Sequence, residues 1–180
     1  MKERYEIRFS GYGGQGIITA AIIIAEACIL EGKNAVQTQS YGPESRGGVS
    51  KSDVVISNEE IDYPKAITLD VLVAFNQESY KAYKDTVKEN GVIIVDSHYV
   101  KFDEKEKNVI GIPFSTIARD KVGKEITTNI VALGALVEKT KIVSKESIEK
   151  AVLDRVPKGT EDLNKKALQL GFQAMKEALS

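Results

Sequence analysis

The 180-residue sequence is poor in the residues that staple or metallate a protein: one cysteine, one histidine, no tryptophan and 4 prolines. The lone Cys28 excludes an internal disulfide framework. It also argues against an iron–sulfur cluster held by this chain alone, which would need several thiolates. With His98 the only histidine, a Cys/His zinc site is not expected, and no metal ligand is assigned. An excess of one charge is missing too. Lysine plus arginine, at 25, nearly cancels aspartate plus glutamate, at 26, so the net charge of −1 gives no general attraction to nucleic acid or anionic lipid. The longest apolar run, Ile17–Leu30, is too short to span a bilayer and is interrupted by Thr19 and Glu26. The opening Met-Lys-Glu-Arg-Tyr-Glu has no apolar h-region. The cytoplasm is therefore the expected location, and no membrane or nucleic-acid partner is expected.

What is present suits one globular domain. Hydrophobic residues make up 42% and charged residues 28%, which argues against disorder or a fibre. A chain of this length folds without staples, burying about 70% of the surface its unfolded form exposes. Strand-like Tyr5–Ser10 runs into a glycine-rich stretch, and Ile17–Glu31 reads as a helix closed by Gly32. Ala35–Gln39 and Ser52–Ser57 read as strands joined by a turn-rich loop, residues 40–50, with no crossover helix. The second of them is thus expected antiparallel in a mixed sheet. Val71–Phe75 is fully apolar, as a strand covered on both faces should be. Asn76 is a candidate N-cap for a helix over Glu78–Val87 with Gly91 after its end. Val92–Val95 and Val109–Ile112 read as further strands, around a charged loop over Lys101–Lys107.

The last third reads as helical. The expected caps are Ser115, Thr128 or Asn129, Ser144 and Thr160. Leu163, Ala167, Leu170, Ala174 and Ala178 form an apolar stripe in the final helix. The expected fold is α/β: a three-layer α/β/α sandwich with a mostly parallel mixed sheet, Rossmann-like, with a helical C-terminal region. Residues 1–180 form a single domain in this reading, 1–113 as the α/β core and 114–180 packed on it.

Gly11-Tyr12-Gly13-Gly14-Gln15-Gly16 fits G-x-G-x-x-G between a strand and a helix. There glycines permit a tight turn and close ligand approach, and a helix N-terminus offers N–H groups to a phosphate. The acidic residue that holds the ribose in a dinucleotide site is absent, because the second strand ends Gln37-Thr38-Gln39-Ser40. Phosphate contact and close strand–helix packing both remain open, ahead of an NAD site. The following helix is apolar on every face. Either the domain buries it on both sides or one side meets another protein.

A second loop, Tyr41-Gly42-Pro43-Glu44-Ser45-Arg46-Gly47-Gly48, carries a planar guanidinium suited to carboxylate or phosphate. It is either a turn with an internal Glu44–Arg46 pair or a recognition loop beside the first, both leaving the C-terminal ends of adjacent strands. Asp96 reads as a turn or cap residue and Cys28 as a small buried hydrophobe. No catalytic constellation emerges.

The segments Phe9–Gly16 and Gln37–Gly48, with Lys51–Ile56, Ile61–Pro64 and Asn129–Ala135, closely resemble the gamma subunit of 2-oxoacid:ferredoxin oxidoreductases. The Tyr-Gly-Pro-Glu-x-Arg-Gly-Gly form is most similar to the 2-oxoglutarate type. Pyruvate, branched-chain 2-oxoacid and indolepyruvate enzymes are the competing members. The resemblance implies an accessory, non-redox subunit that packs on a thiamine-binding core and assists coenzyme A access. The complex would use thiamine diphosphate, Mg and iron–sulfur clusters held by alpha and beta subunits. A ferredoxin-like delta subunit is an optional companion, and ferredoxin is the electron acceptor. Carried over, Gly11, Gly13, Gly14, Gln15 and Gly16 would form a phosphate-approach or interface loop. Tyr41, Gly42, Pro43, Glu44 and Arg46 would form the adjoining contact loop. The reading from another class is a free-standing nucleotide-binding regulatory module.

Overall fold

A computed structural model describes residues 4–40 and 49–180. Its sheet comprises β1 (Tyr5–Gly11), β2 (Asn34–Ser40), β3 (Ser50–Ser57), β4 (Leu69–Ala74), β5 (Val87–Asp96) and β6 (Val109–Ile112), in the spatial order β2-β3-β1-β4-β5-β6. Strands β1, β4, β5 and β6 pair in parallel, while β3 lies antiparallel between β2 and β1. As expected, the sheet is mixed, with β3 the one reversed strand among those described. The helices are α1 (Ile17–Leu30), α2 (Gln77–Tyr83), α3 (Phe114–Ile117), α4 (Thr128–Thr140), α5 (Lys145–Arg155) and α6 (Glu161–Leu179).

The layers follow from strand alternation. Ile7, Phe9, Val54, Ile56, Val71, Val73 and Ile94 turn to one face and share a core with α1 and α3 to α6. Leu69, Leu72, Ala74, Ile93 and Val95 turn to the other, where Tyr80 of α2, Val100 and Phe102 cover them. Helices on both faces make this the three-layer α/β/α arrangement. The apolar first helix is explained by burial within the chain: eight of its residues, from Ile17 to Cys28, are buried. They pack on β1, β2, β3, α4 and α5. Only Ile29 and Leu30, 56% and 48% exposed, stand out at its far end.

Four local expectations are corrected. Helix α2 stops at Tyr83 and passes through a tight turn, Lys84–Thr86, into β5. Gly91 is therefore a strand residue, sitting beside the register shift of the β4–β5 ladder, and not a helix terminator. A Cβ there would stand 2.6 Å from Val87 Cγ1 and 3.0 Å from Asp70 O. Ser115 lies inside α3, which continues as a wider π-type turn, Ala118–Val122, and its backbone N–H donates to Asp96 Oδ2 at 3.2 Å. Neither Thr128 nor Asn129 caps α4, which starts from a 3-10 turn at Glu125–Thr127, whereas Thr160 does hold the N-cap position of α6, without a side-chain cap bond. Asn76 and Ser144 do cap, accepting from Ser79 N at 2.8 Å and Ser147 N at 3.0 Å.

The fourth correction concerns the face of α6. Its buried residues are Asn164, Ala167, Leu168, Gly171, Phe172 and Met175. Of the expected stripe only Ala167 is fully buried, and Ala178 is exposed. The rotation is set by Gly171 meeting Gly134 of α4: a Cβ on Gly171 would lie 2.1 Å from Val131 O and one on Gly134 2.3 Å from Leu168 O. Without side chains at this crossing, the two backbones touch.

Candidate functional site

Strand β1 is where the fold changes hand. Helix α1 leaves it toward β2 on one face, while β4 on its other side feeds α2 on the opposite face. The crevice at such a switch point, beyond the carboxyl ends of the strands, is the usual ligand position in open α/β sheets. Gly11–Gly16 sits there. Phe75 N donates to Ser10 O at 2.9 Å, so the end of β4 abuts the root of the loop.

Gln15 braces the loop from within. Its Oε1 accepts from Tyr12 N at 2.6 Å and from Asn76 Nδ2 at 3.4 Å, and its own N–H donates to Tyr12 O at 3.2 Å. The Tyr12 hydroxyl donates to Glu78 on α2, a bond that holds the Glu78 carboxyl below its ordinary range. At Gly11 a Cβ would stand 2.5 Å from Gln15 Oε1 and 3.1 Å from Phe75 Cβ, so a side chain there would displace the Gln15 brace. Gly14 and Gly16 occupy the left-handed region at φ of 85° and 75°. Gly13 and Gly14 have nothing within 4 Å of a Cβ position, so a ligand can reach their backbone.

Helix α1 begins directly behind this open stretch. No side chain caps it and no acidic residue lies in its first turn. Its first N–H groups have no intrahelical acceptors, and the dipole end there is positive. Asn129, at the start of α4, fixes the position: Nδ2 donates to Gly16 O at 3.2 Å, and a Cβ on Gly16 would lie 2.5 Å from Nδ2. The loop opens into a groove of about 640 Å³ floored by Ile17, Ile18 and Ile130 and walled by Ile126, Val156 and Leu163. Ile126 is 84% exposed. Arg155 lies at the rim, 3.3 Å from Glu26. Open backbone at an uncapped helix start and an apolar trough behind it suit an elongated ligand with an anionic head.

Of the predicted site residues, the structure brings Gly11, Gly13, Gly14, Gln15 and Gly16 together. Tyr41, Gly42, Pro43, Glu44 and Arg46 lie outside the described residues. The roots of their loop, Ser40 and Ser50, are at the same end of the sheet as Gly11, and Ser50 pairs with Gly11. The strands carrying the two loops are not neighbours, however, because β3 intervenes.

Elsewhere, Asp96 is the turn residue expected. Buried completely, its carboxyl is pushed upward by burial while it accepts from His98 N at 3.1 Å and Ser115 N at 3.2 Å. Cys28 is fully buried and burial pushes its thiol up to about 12, which keeps it protonated. Sequence reasoning missed the bracing roles of Asn129 and Asn76 and the wall residue Ile126. A lone isoleucine between Glu125 and Thr127 was the available signal.

The fold and the loop define a doubly wound α/β domain built to present a glycine loop beside an apolar groove. Residues 6–174 match the family described as pyruvate ferredoxin/flavodoxin oxidoreductase, and the chain belongs to that family. It is 54% identical to the 2-oxoglutarate synthase subunit KorC of Methanocaldococcus jannaschii over 98% of this chain and 97% of that protein. It is similar to the keto/oxoacid ferredoxin oxidoreductase gamma subunit from Geobacter sulfurreducens, with a TM-score of 0.88 and 50% identity over 97% of this chain and 98% of that one. A 2-oxoglutarate:ferredoxin oxidoreductase from Magnetococcus marinus, with 2-oxoglutarate, coenzyme A and succinyl-CoA bound, superposes with a TM-score of 0.84 at 28% identity. The match covers 98% of this chain and 32% of that chain. No helix among the described residues is long and apolar enough to cross a membrane.

Proposed function

We propose that this chain is the gamma subunit of a 2-oxoglutarate:ferredoxin oxidoreductase. The complex converts 2-oxoglutarate, coenzyme A and oxidised ferredoxin to succinyl-CoA, CO2 and reduced ferredoxin in the cytoplasm. Alpha and beta subunits hold thiamine diphosphate, Mg and the iron–sulfur clusters, and ferredoxin, directly or through a delta subunit, takes the electrons. The chain's part is to help receive coenzyme A.

One observation carries this reading: the open Gly13-Gly14 backbone, the uncapped start of α1 and the apolar groove are continuous. Coenzyme A has the matching chemistry, phosphates at one end and a long, weakly polar arm. The phosphates meet backbone N–H groups and the positive end of α1, a pairing that needs no basic side chain. The arm lies over Ile17, Ile18 and Ile130. Gln15 and Asn129 hold the loop's shape, and Arg46 supplies a further clamp. The inert Cys28 is consistent with a subunit that carries no cluster of its own.

The test is reconstitution with alpha and beta partners, measuring viologen or ferredoxin reduction against a panel of 2-oxo acids. 2-Oxoglutarate should turn over fastest. Gly13→Asp, a substitution into open space, places a carboxylate where phosphate should approach. It should raise the KM for coenzyme A at least about tenfold, the weight of one misplaced charge, and spare the KM for 2-oxoglutarate. Arg46→Ala should raise the same constant or loosen assembly. Equal effects on both substrates, or none, would remove coenzyme A from this loop.

A further inference from the structure

The sheet face opposite α1 is apolar over β4 and β5 but polar over β1, β3 and β2. The register aligns Arg8, Asp53 and Thr38 in one cross-strand row and Ser10, Lys51 and Ser40 in the next. Directly opposed residues of antiparallel strands point the same way, so all six side chains share this face. Arg8 and Asp53 are each only 5% exposed. Arg8 Nε donates to Asp53 Oδ1 at 2.7 Å and Nη2 to Oδ2 at 2.9 Å. A buried ion pair of this kind stabilises a fold no better than well-packed apolar residues of similar volume. Its burial on this polar half of the face, where it adds nothing that apolar packing would not, points to a ligand.

The surroundings say which ligand. Asp53 occupies one edge of the guanidinium and leaves Arg8 Nη1 without an acceptor among the described residues. Above it lies a cavity of about 240 Å³ lined by Arg8, Thr38, Ser40, Lys51, Asp53 and Lys65. The Tyr83 ring lies beneath two of these cations, 4.7 Å from the Arg8 guanidinium and 5.7 Å from Lys51 Nζ. Neither Lys51 nor Lys65 forms an ion pair among the described residues. Among the described lining residues three cations face one carboxylate, an excess of two positive charges, and Thr38 and Ser40 add hydroxyl donors. This cavity shares no lining residue with the groove at the glycine loop. It is also smaller than the roughly 300–1,000 Å³ of a typical coenzyme site.

We propose that this cavity is a second binding site, for a small dianion bearing phosphate or carboxylate groups. Lys51, Lys65 and Arg8 Nη1 neutralise the charge, Thr38 and Ser40 complete the donors, and Asp53 holds the guanidinium plane in position. The site stands on residues independent of the coenzyme A reading.

The test titrates the 180-residue chain with inorganic phosphate and, separately, with succinate, at ionic strength held constant with chloride. Heat of binding and the melting temperature are both followed. At least one anion should bind and raise the melting temperature, and which one does so identifies the head group. Lys51→Gln and Lys65→Gln should each weaken binding at least about fivefold, the size of one charge-assisted contact. Lys176→Gln, the same charge change at an exposed position on α6, should leave binding unchanged. Should Lys51→Gln fail to fold, Lys65→Gln, in a segment outside helix and strand, decides alone. Absence of binding by both anions, or equal loss in Lys176→Gln, would overturn the proposal.

Discussion

Replacing Gly134 by alanine would add one methyl group where α4 crosses α6. The new Cβ would stand 2.3 Å from Leu168 O, 3.0 Å from Gly171 Cα and 3.0 Å from Phe172 N. All three neighbours are backbone atoms, so no rotamer change relieves the contact. A carbon normally keeps about 3.3–3.6 Å from a carbonyl oxygen, even where it makes a weak hydrogen bond. The helices must therefore part by about 1 Å, which forfeits a quarter to a half of the dispersion energy of each contact they shared. Overpacking of this kind costs about 1–3 kcal/mol, and alanine's better helix propensity offsets about 1 kcal/mol of it. Because backbone meets backbone the upper part of the range applies, leaving a net loss of about 2 kcal/mol. In a chain of this size that is a fall of about 4–8 °C in Tm, read by calorimetry or circular dichroism. Gly171→Ala should cost as much. The double variant should cost less than the two singles added, because the first methyl has already opened the gap. A Tm equal to or above that of the native chain for Gly134→Ala would refute the reasoning. So would strict additivity of the pair.

Three other outcomes follow from charges and caps. Glu31 is pushed upward by burial, but bonds from Ser144 N at 2.6 Å, Lys33 and the Ser147 and Ser144 side chains outweigh this and hold it at about 2. A folded value below the unfolded one of about 4.5 means its stabilisation is complete above that pH and disappears as pH falls toward 2. Glu31→Gln should lower stability by about 1 kcal/mol at neutral pH, allowing for its partial exposure. Melting curves of the two chains should converge between pH 4.5 and 2, and a constant gap would contradict this. Asp53→Ala strands the buried Arg8 charge and should cost about 3–5 kcal/mol in urea titration, whereas Arg8→Met with Asp53→Leu should recover most of it. No recovery would mean that the pair itself sustains the sheet. Asn76→Ala removes both the α2 cap and a bond to Gln15, so about 1–2 kcal/mol should be lost. Hydrogen exchange should also quicken at Tyr12, and unchanged protection there would detach the cap from the loop.

Where chemistry is local, the sequence was readable. The alternating strands, the C′ glycine Gly32, the Asn76 and Ser144 caps and the reversed β3 all follow from nearest-neighbour rules. The glycine loop was also legible, because strand, loop and helix lie consecutively along the chain. Legibility failed where a distant element decides. The rotation of α6 is set by Gly134, and Gly91 is a strand residue because β4 pairs beside it. The groove is completed by Ile126 and by Leu163 of α6, far along the chain from Gly13. The apolar circumference of α1 allowed either burial or docking, and five neighbouring elements account for it by burial. The pairing of Arg8 with Asp53 had no signal in the sequence. Their significance depends on a register that no local pattern fixes.

Strand β2 forms one rim of the described sheet, with β3 as its neighbour, and its seven residues, Asn-Ala-Val-Gln-Thr-Gln-Ser, include neither a charge nor a proline. Lysines, prolines and bulges are the usual means of keeping such rims from adding foreign strands. A chain produced in excess of its assembly partners would thus carry a sheet rim without charged or proline guards into solution. Its yield in recombinant hosts should then depend on co-expression more than on melting temperature.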